Sequence, residues 1–536
     1  MAPSPLHFDV RADTAVPDLA DLPPEGGRWE VGAASSETRY LDTAAHDLTR
    51  AGAALARTTG DSGAGWRLEL PGRPPQYLVD RPRATVTPEL PAALAAATVG
   101  VRRGREVAEV ATVRIHRTVH RLVDAAGDPL VELADETVHT AATTADGVLL
   151  EDFRRWVLAG SAAGNDGVAP VVDAVAARLT GTDGAVFDPA PGTDLQRALV
   201  GHPGAATTPP PSSDQASAGT SHKAGGTEHA KGRKGSKAQK GKAQKGKGKG
   251  KAADGRTAGE LILAYLRAQD DALIAGDLVL RARDGGIHPT RVATRRLRST
   301  LRIFRPFVDA DRAAAFDAEL SWYAATLGEV RDREVQRVRM RALLDEIPDD
   351  LVLGPVGSSI DAVLRSEEVL HRGRLAEAMD SDRYLALLRE AHLWSTTPPF
   401  TARADDDAEV LTGRVDKAAA KLVAHLEAGL RAGGDDEELH SARKAGKRAR
   451  YAAELAAPVL GKEGAKLVSR YEEVQDVLGD FQDGVVACAL IRRLATGTVG
   501  KRKENGFTYG LLYARERERA VEGRRRADAL FAGLRD

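Results

Sequence analysis

His288-Pro-Thr-Arg-Val-Ala-Thr-Arg-Arg-Leu-Arg-Ser-Thr-Leu-Arg302 is the stretch from which this chain is best read. A helix turns about 100° per residue, so His288, Arg291, Arg295, Arg298 and Arg302 fall within an arc of roughly 80°. Ala293, Leu297, Leu301 and Phe304 fall on the far side and make a packing face. Guanidiniums aligned along one face repel each other unless an anion lies across them. Few carboxylates are near in sequence, so a repeating anion is the first ligand to consider.

The pattern recurs downstream. His440-Ser-Ala-Arg443 is followed by Lys447 and Arg450, with Ala445, Ala449, Ala453 and Ala456 opposite. Leu327-Gly-Glu-Val-Arg-Asp332 is echoed by Leu478-Gly-Asp-Phe-Gln-Asp483. The offset is 152 residues for the histidines and 151 for the Leu-Gly pairs, and agreement between two unrelated signatures predicts a duplicated helical unit. Arg414, Lys417, Lys421 and His425 form a third basic stripe at helical spacing. Arginine suits phosphate because its fork makes two parallel hydrogen bonds and stays charged. Histidine adds a charge that switches near neutral pH. The competing structural reading is internal ion pairing, with Asp332, Asp483, Glu329 and Asp480 as partners. Exposed pairs contribute only ~0–1 kcal/mol, so each arginine alone is ambiguous. Recurrence in phase, twice, favours binding by the set. The Leu-Gly-x-x-x-Asp motifs read as buttresses that orient the basic residues.

The chain has 536 residues, room for two to four domains, and its net charge is −1, so anion binding requires charge sorted onto particular surfaces. Cys488 is the one cysteine, which leaves no disulfide framework or cysteine-based zinc site and suits a reducing cytosol. Met1-Ala-Pro-Ser-Pro-Leu-His7 has no basic region followed by an apolar run, so no signal peptide is expected. No apolar run reaches the ~20 residues of a spanning helix, so no membrane partner is expected.

Composition divides the chain into residues 1–200, 201–255 and 256–536. The first is rich in Val, Thr, Gly and Pro, with alternating runs such as Gly65–Leu70, Glu109–His116 and Pro129–Ala134 that predict antiparallel strands. Leu90–Ala97 and Val171–Leu179 read as helices. The second is Pro-rich, then rich in Gly and Lys. Residues 231–251 hold nine Lys, one Arg and no acid, a composition expected to form a disordered cationic linker. The third is amphipathic helix almost throughout.

At this point the helical motifs resemble the CHAD family, the conserved histidine α-helical domain. The resemblance rests on His288-x-x-Arg-Val-Ala-Thr-Arg-Arg-Leu-Arg298 and His440-x-x-Arg-Lys-x-x-Lys-Arg-x-Arg-Tyr-x-x-Glu454. It implies two pseudo-symmetric four-helix bundles around a basic channel that binds inorganic polyphosphate. It carries His288, Arg291, Arg295, Arg298, His440, Arg443, Lys447 and Arg450 into that channel. The helical wheel adds Arg302, Arg414, Lys417 and Lys421.

Arg39-Tyr-Leu-Asp-Thr43, Leu48–Leu55, Gly65–Pro71, Val113–Leu122 and Val131–Val138 resemble segments of the CYTH (adenylate cyclase/thiamine triphosphatase) superfamily. That resemblance implies an antiparallel β tunnel that binds triphosphate and a divalent metal. The family's opening Glu-x-Glu-x-Lys is Leu6-His-Phe-Asp-Val-Arg11 here, and its late Glu-x-Glu strand is Phe153–Leu158. A lysine position is Glu69 and an arginine position is His116. Glu69, Glu132 and Asp135 are the carboxylates left for metal, and Arg57, Arg67, Arg114 and His116 the residues left for a tunnel anion. The tunnel therefore reads as degenerate, which argues against triphosphate hydrolysis; Mg²⁺ or Mn²⁺ would enter only if it were active.

The expectation is an α+β multidomain protein of the cytosol that binds polyphosphate, associates with polyphosphate granules and requires no cofactor. Two alternatives stand beside it: a metal-dependent triphosphate hydrolase, and nucleic-acid binding through the basic linker and helices. Stacking aromatics are sparse on the basic segments, which argues against nucleic acid.

Overall fold

The computed structural model describes residues 5–23, 26–61, 64–71, 76–78, 88–144, 147–161, 168–189, 192–199, 255–282, 285–431, 435–498 and 506–535. Nearly all of the expected linker, residues 201–254, lies outside them. The described N-terminal residues form nine strands: β1 (Leu6–Val10), β2 (Arg28–Asp42), β3 (Ala54–Gly60), β4 (Gly65–Glu69), β5 (Gln76–Leu78), β6 (Ala108–Val123), β7 (Pro129–Thr144), β8 (Gly147–Gly160) and β9 (Ala185–Asp188). Their order is β5-β4-β3-β2-β6-β7-β8-β1-β9, and every neighbouring pair is antiparallel. Four short helices accompany the sheet: α1 (Asp47–Arg50), α2 (Ala92–Thr98), α3 (Val168–Thr180) and α4 (Asp194–Leu199).

Alternation gives the sheet two distinct faces. Leu133, Trp156 and Leu158 bury against Val175 and Leu179 of α3. Val113, Ile115 and Val138, on the other face, bury with Leu195 and Ala198 of α4. Leu55, Trp66 and Leu68 instead join the core of the helical half.

That half comprises α5 (Ala258–Arg281), α6 (Ile287–Ile303), α7 (Ala310–Asp345), α8 (Val356–Met379), α9 (Asp382–Thr396), α10 (Thr412–Leu430), α11 (Asp436–Leu460), α12 (Lys462–Thr498) and α13 (Gly506–Arg535). Their starts follow capping chemistry. Thr257 and Glu260 form a reciprocal capping box on α5. Asp309, Ser381 and Asp435 accept backbone N–H groups at the starts of α7, α9 and α11. Sequential helices pack as neighbours from α5 to α8 and again from α10 to α13. The far ends of the α7/α8 and α12/α13 hairpins close on a shared core of Met340, Leu343, Ile360, Leu490 and Ile491. In the middle, α6 packs against α11.

The two halves are joined by a buried polar contact. The segment after α2 turns at Arg103, a non-glycine residue at φ 52°. The Arg103 guanidinium reaches Asp47 of α1 at 3.1 Å and Asp270 of α5 at 3.2 Å. Arg389 of α9 donates to the Arg103 carbonyl, and Arg281 of α5 donates to that of Ala96. No described helix is long and apolar enough to cross a membrane.

Candidate functional site

Ala293, Leu297, Leu301 and Phe304 are each no more than 3% exposed, and they anchor α6 with its basic face turned away from this core. Fully burying one large aliphatic or aromatic side chain contributes about 1.5–3 kcal/mol, enough to fix the helix's rotation. Ala445, Ala449, Ala453 and Ala456 are buried along α11 in the same way. Their small size suits close approach of a neighbouring helix.

Between these helices lies a concentrated cationic cluster. Arg291 of α6 sits over Gly328 of α7: a Cβ there would lie 2.3 Å from its Nη1. Asp332, one turn on, is 3.7 Å from the same nitrogen. Arg443 of α11 repeats the arrangement over Gly479 of α12, with Asp483 at 3.6 Å. The Leu-Gly-x-x-x-Asp motif thus supplies both space and a distant counter-charge. Arg291 Nη1 and Arg443 Nε are buried and make no hydrogen bond. Such donors carry the desolvation cost of their burial without its usual offset.

Arg295 donates to the Tyr451 hydroxyl at 2.9 Å, and its guanidinium stands 5.9 Å from the centre of that ring. Burial, reinforced by Arg443, Arg295 and Arg291, pushes the Lys447 amine down to about 7. Burial, with Arg295 and Arg443 beside it and Asp332 opposing, pulls the Arg291 guanidinium below its usual range. His288 is lowered by desolvation and by Arg331, and His440 by desolvation and by Lys444. His440 also shares a 3.1 Å hydrogen bond with Gln482. The cluster is therefore under positive pressure from several directions at once.

The other basic positions separate from it. Arg298 and Arg302 share Asp317, at 3.0 and 2.7 Å. Arg414 donates to the carbonyl of Ile303 at 2.7 Å. With Lys417, Lys421 and Arg448, Arg302 and Arg414 line a cavity of about 340 Å³. His425 is held by Glu438 at 2.9 Å. Arg450 is bound by Glu454 and Glu472, both at 3.0 Å. Glu329 pairs with Arg333 and Asp480 with Arg526 rather than with the central arginines. Sequence reading passed over Arg331 and Arg448. Arg448 was recoverable, because the 152-residue offset carries Arg296 onto it.

The sheet does not bring its four candidate anion residues together. Arg57, Arg114 and His116 share one face and Arg67 lies on the other. Arg67 is paired with Glu69 at 2.6 Å and donates to Tyr40, and Arg114 is paired with Glu37 at 2.7 Å. The three candidate metal carboxylates are equally dispersed. Glu132 binds Arg121 at 2.9 Å, and Asp135 binds Arg154 at 2.7 Å from the face opposite Glu69 and Glu132. Among the described residues, no group of three or more His, Cys, Asp or Glu side chains is placed to hold a metal ion. The residues present do not fit a two-metal site. On the Arg67 face, Glu136 accepts from both Arg117 and Arg155, and Arg155 is bound again by Asp194 of α4.

Residues 264–492 match the family model described as the CHAD domain. Two curated proteins of Mycobacterium tuberculosis, the uncharacterized protein Rv2226 of strain H37Rv and MT2285 of strain CDC 1551, are each 30% identical over 555 residues. The alignments cover 98% of this chain and 95% of each relative. Among solved structures, PptA from Streptomyces chartreusis is similar with a TM-score of 0.42 at 21% identity, over 52% of this chain and 99% of that one. The CHAD domain from the plant Ricinus communis is similar with a TM-score of 0.42 at 23% identity, over 53% and 93%.

Proposed function

This chain belongs to the family of CHAD-domain proteins, and on that premise we propose that it binds inorganic polyphosphate in the cleft between α6 and α11. The observation that carries the reading is the pair Arg291 and Arg443. Each presents a buried guanidinium nitrogen without a hydrogen-bond acceptor, and each has its nearest carboxylate beyond 3.5 Å. A phosphate chain supplies acceptors at regular intervals, and Arg295, Lys447, His288 and His440 extend the row. The matched pairs Arg291–Gly328–Asp332 and Arg443–Gly479–Asp483 support a duplicated unit, two four-helix bundles related by a pseudo-two-fold axis through the cleft.

The sheet half is proposed to be a degenerate CYTH-like tunnel. Its arginines are largely satisfied by its own carboxylates, which favours a shaping role over triphosphate hydrolysis. The cationic linker would add non-specific affinity. A cytosolic protein on polyphosphate granules is the setting this reading implies.

The test is the salt and pH dependence of long-chain polyphosphate binding by the full chain. Neutralising about four phosphates predicts a slope of log K against log salt near −3, by analogy with single strands. Bound phosphate favours the charged form of Lys447, which titrates at about 7 in the free protein. Affinity is therefore expected to rise as pH falls through 7, and further as His288 and His440 gain protons. A flat pH profile between 6 and 8 would contradict the cleft as the binding site.

A further inference from the structure

The two sides of the α6/α11 crossing are not equivalent. The offset that carries His288 onto His440 also carries Arg296 onto Arg448, Arg298 onto Arg450, and Arg302 onto Glu454. On one side the charges close. Glu454 accepts from Arg296 at 3.0 and 3.1 Å, from Arg450 at 3.0 Å and from the Tyr265 hydroxyl at 2.9 Å. On the other side, the position of that glutamate is occupied by Arg302. Three arginines, Arg298, Arg302 and Arg448, then meet where two arginines and a glutamate meet opposite.

Asp317 offsets part of this charge but is shared between Arg298 and Arg302. Arg448 makes no hydrogen bond or ion pair among the described residues. Burial and the nearby Arg302 and Arg298 pull its guanidinium below its usual range, with Asp317 opposing only in part. Lys417 and Lys421 stand exposed on the same wall. The result is a cavity of about 340 Å³ lined by Arg302, Arg414, Lys417, Lys421 and Arg448 with three small or aliphatic side chains, and with no carboxylate in its lining.

We propose that this cavity is a second, separate anion site, in which a compact phosphoryl anion supplies the negative charge that Glu454 supplies across the crossing. Its size is at the low end of ligand pockets, roughly 300–1,000 Å³, and fits a di- or triphosphate group rather than a length of chain. Arginine forks and mobile lysine ammoniums together suit a terminal, highly charged phosphate. Such a group has two sources: the end of a polyphosphate chain, or a free small phosphorylated molecule. The first source rests on the polyphosphate reading of the central cleft; the site itself does not.

The experiment is calorimetric titration of the full chain with tripolyphosphate and, separately, with polyphosphate about a hundred units long. Every variant carries glutamine for the lysines of 231–251, so that the linker adds nothing. The wild-type background is expected to bind tripolyphosphate at two sites. Arg302→Glu installs the carboxylate found across the crossing and is expected to remove one site while preserving the thermal transition. Lys417→Gln with Lys421→Gln leaves the crossing untouched and is expected to weaken the same site about tenfold. If the long chain also binds less tightly to Arg302→Glu, chain ends occupy the cavity; if its affinity is unchanged while the tripolyphosphate site is lost, the ligand is a free small phosphate compound. Two tripolyphosphate sites of unaltered affinity in both variants would overturn the proposal and leave the central cleft untouched. Loss of long-chain binding from the wild type, with the Arg302-dependent tripolyphosphate site intact, would reject the polyphosphate reading alone.

Discussion

At the scale of single residues, the site is built from space as much as from charge. Gly328 and Gly479 occupy matching places in the two Leu-Gly motifs, yet their surroundings differ. A Cβ at 328 would lie 2.3 Å from Arg291 Nη1, whereas at 479 its nearest neighbour, Arg443 Nη2, is 3.7 Å away. Gly328→Ala therefore displaces the flexible end of Arg291 at little cost to the fold, while Gly479→Ala meets ordinary van der Waals contact. A hydrogen bond to a charged group contributes about 1.5–3 kcal/mol. Gly328→Ala is accordingly expected to weaken polyphosphate binding about ten- to hundredfold, and Gly479→Ala to leave it nearly unchanged. Equal affinities in a direct titration of the two variants would refute this account of the motif.

At the scale of elements, the faces of α6 and α11 were legible because one period governs both packing and charge. Ala293, Leu297 and Leu301 bury as the 3.6-residue repeat predicts, and the basic residues follow on the opposite side. Local capping chemistry acts at the same scale: Asp407 and Asp435 both accept backbone N–H groups at helix starts. What the repeat does not encode is which neighbour a side chain meets. Arg450 and Arg443 share a stripe, yet Arg450 is neutralised by Glu454 and Glu472 because α12 and its own helix place acids there. The division of Arg67 from Arg57, Arg114 and His116 depends on strand register across four strands, which alternation within one strand does not specify. The contact between α2 and the helical half had no signal at all. Arg103, Asp47 and Asp270 are at most 7% exposed, and Arg103 and Asp270 lie 167 residues apart in sequence. Removing one partner of a buried ion pair costs about 3–5 kcal/mol. Arg103→Met is expected to lower stability by that amount in chemical denaturation, with the loss centred on the joint between the halves. A change under about 1 kcal/mol would mean the contact is not a structural joint.

At the scale of the whole molecule, a chain of net charge −1 gathers cations along one crossing and neutralises them elsewhere. Ion pairs consume most arginines of the sheet and of the outer helices. In the central cleft, by contrast, Arg291, Arg295, Arg443 and Lys447 press on one another and depress the Lys447 amine. That field, only partly offset by Asp332 and Asp483, is what an extended polyanion would relieve, and the relief is the driving force assigned to binding here. The most direct measurement is the dissociation constant of long-chain polyphosphate for the full chain, with the lysines of 231–251 replaced by glutamine. It is compared with the same protein carrying Arg291→Gln, Arg443→Gln and Lys447→Gln. The account predicts tight, salt-sensitive binding by the first and a loss of at least about a hundredfold in the second, with an unchanged thermal transition. Equal affinity in the two proteins would contradict it.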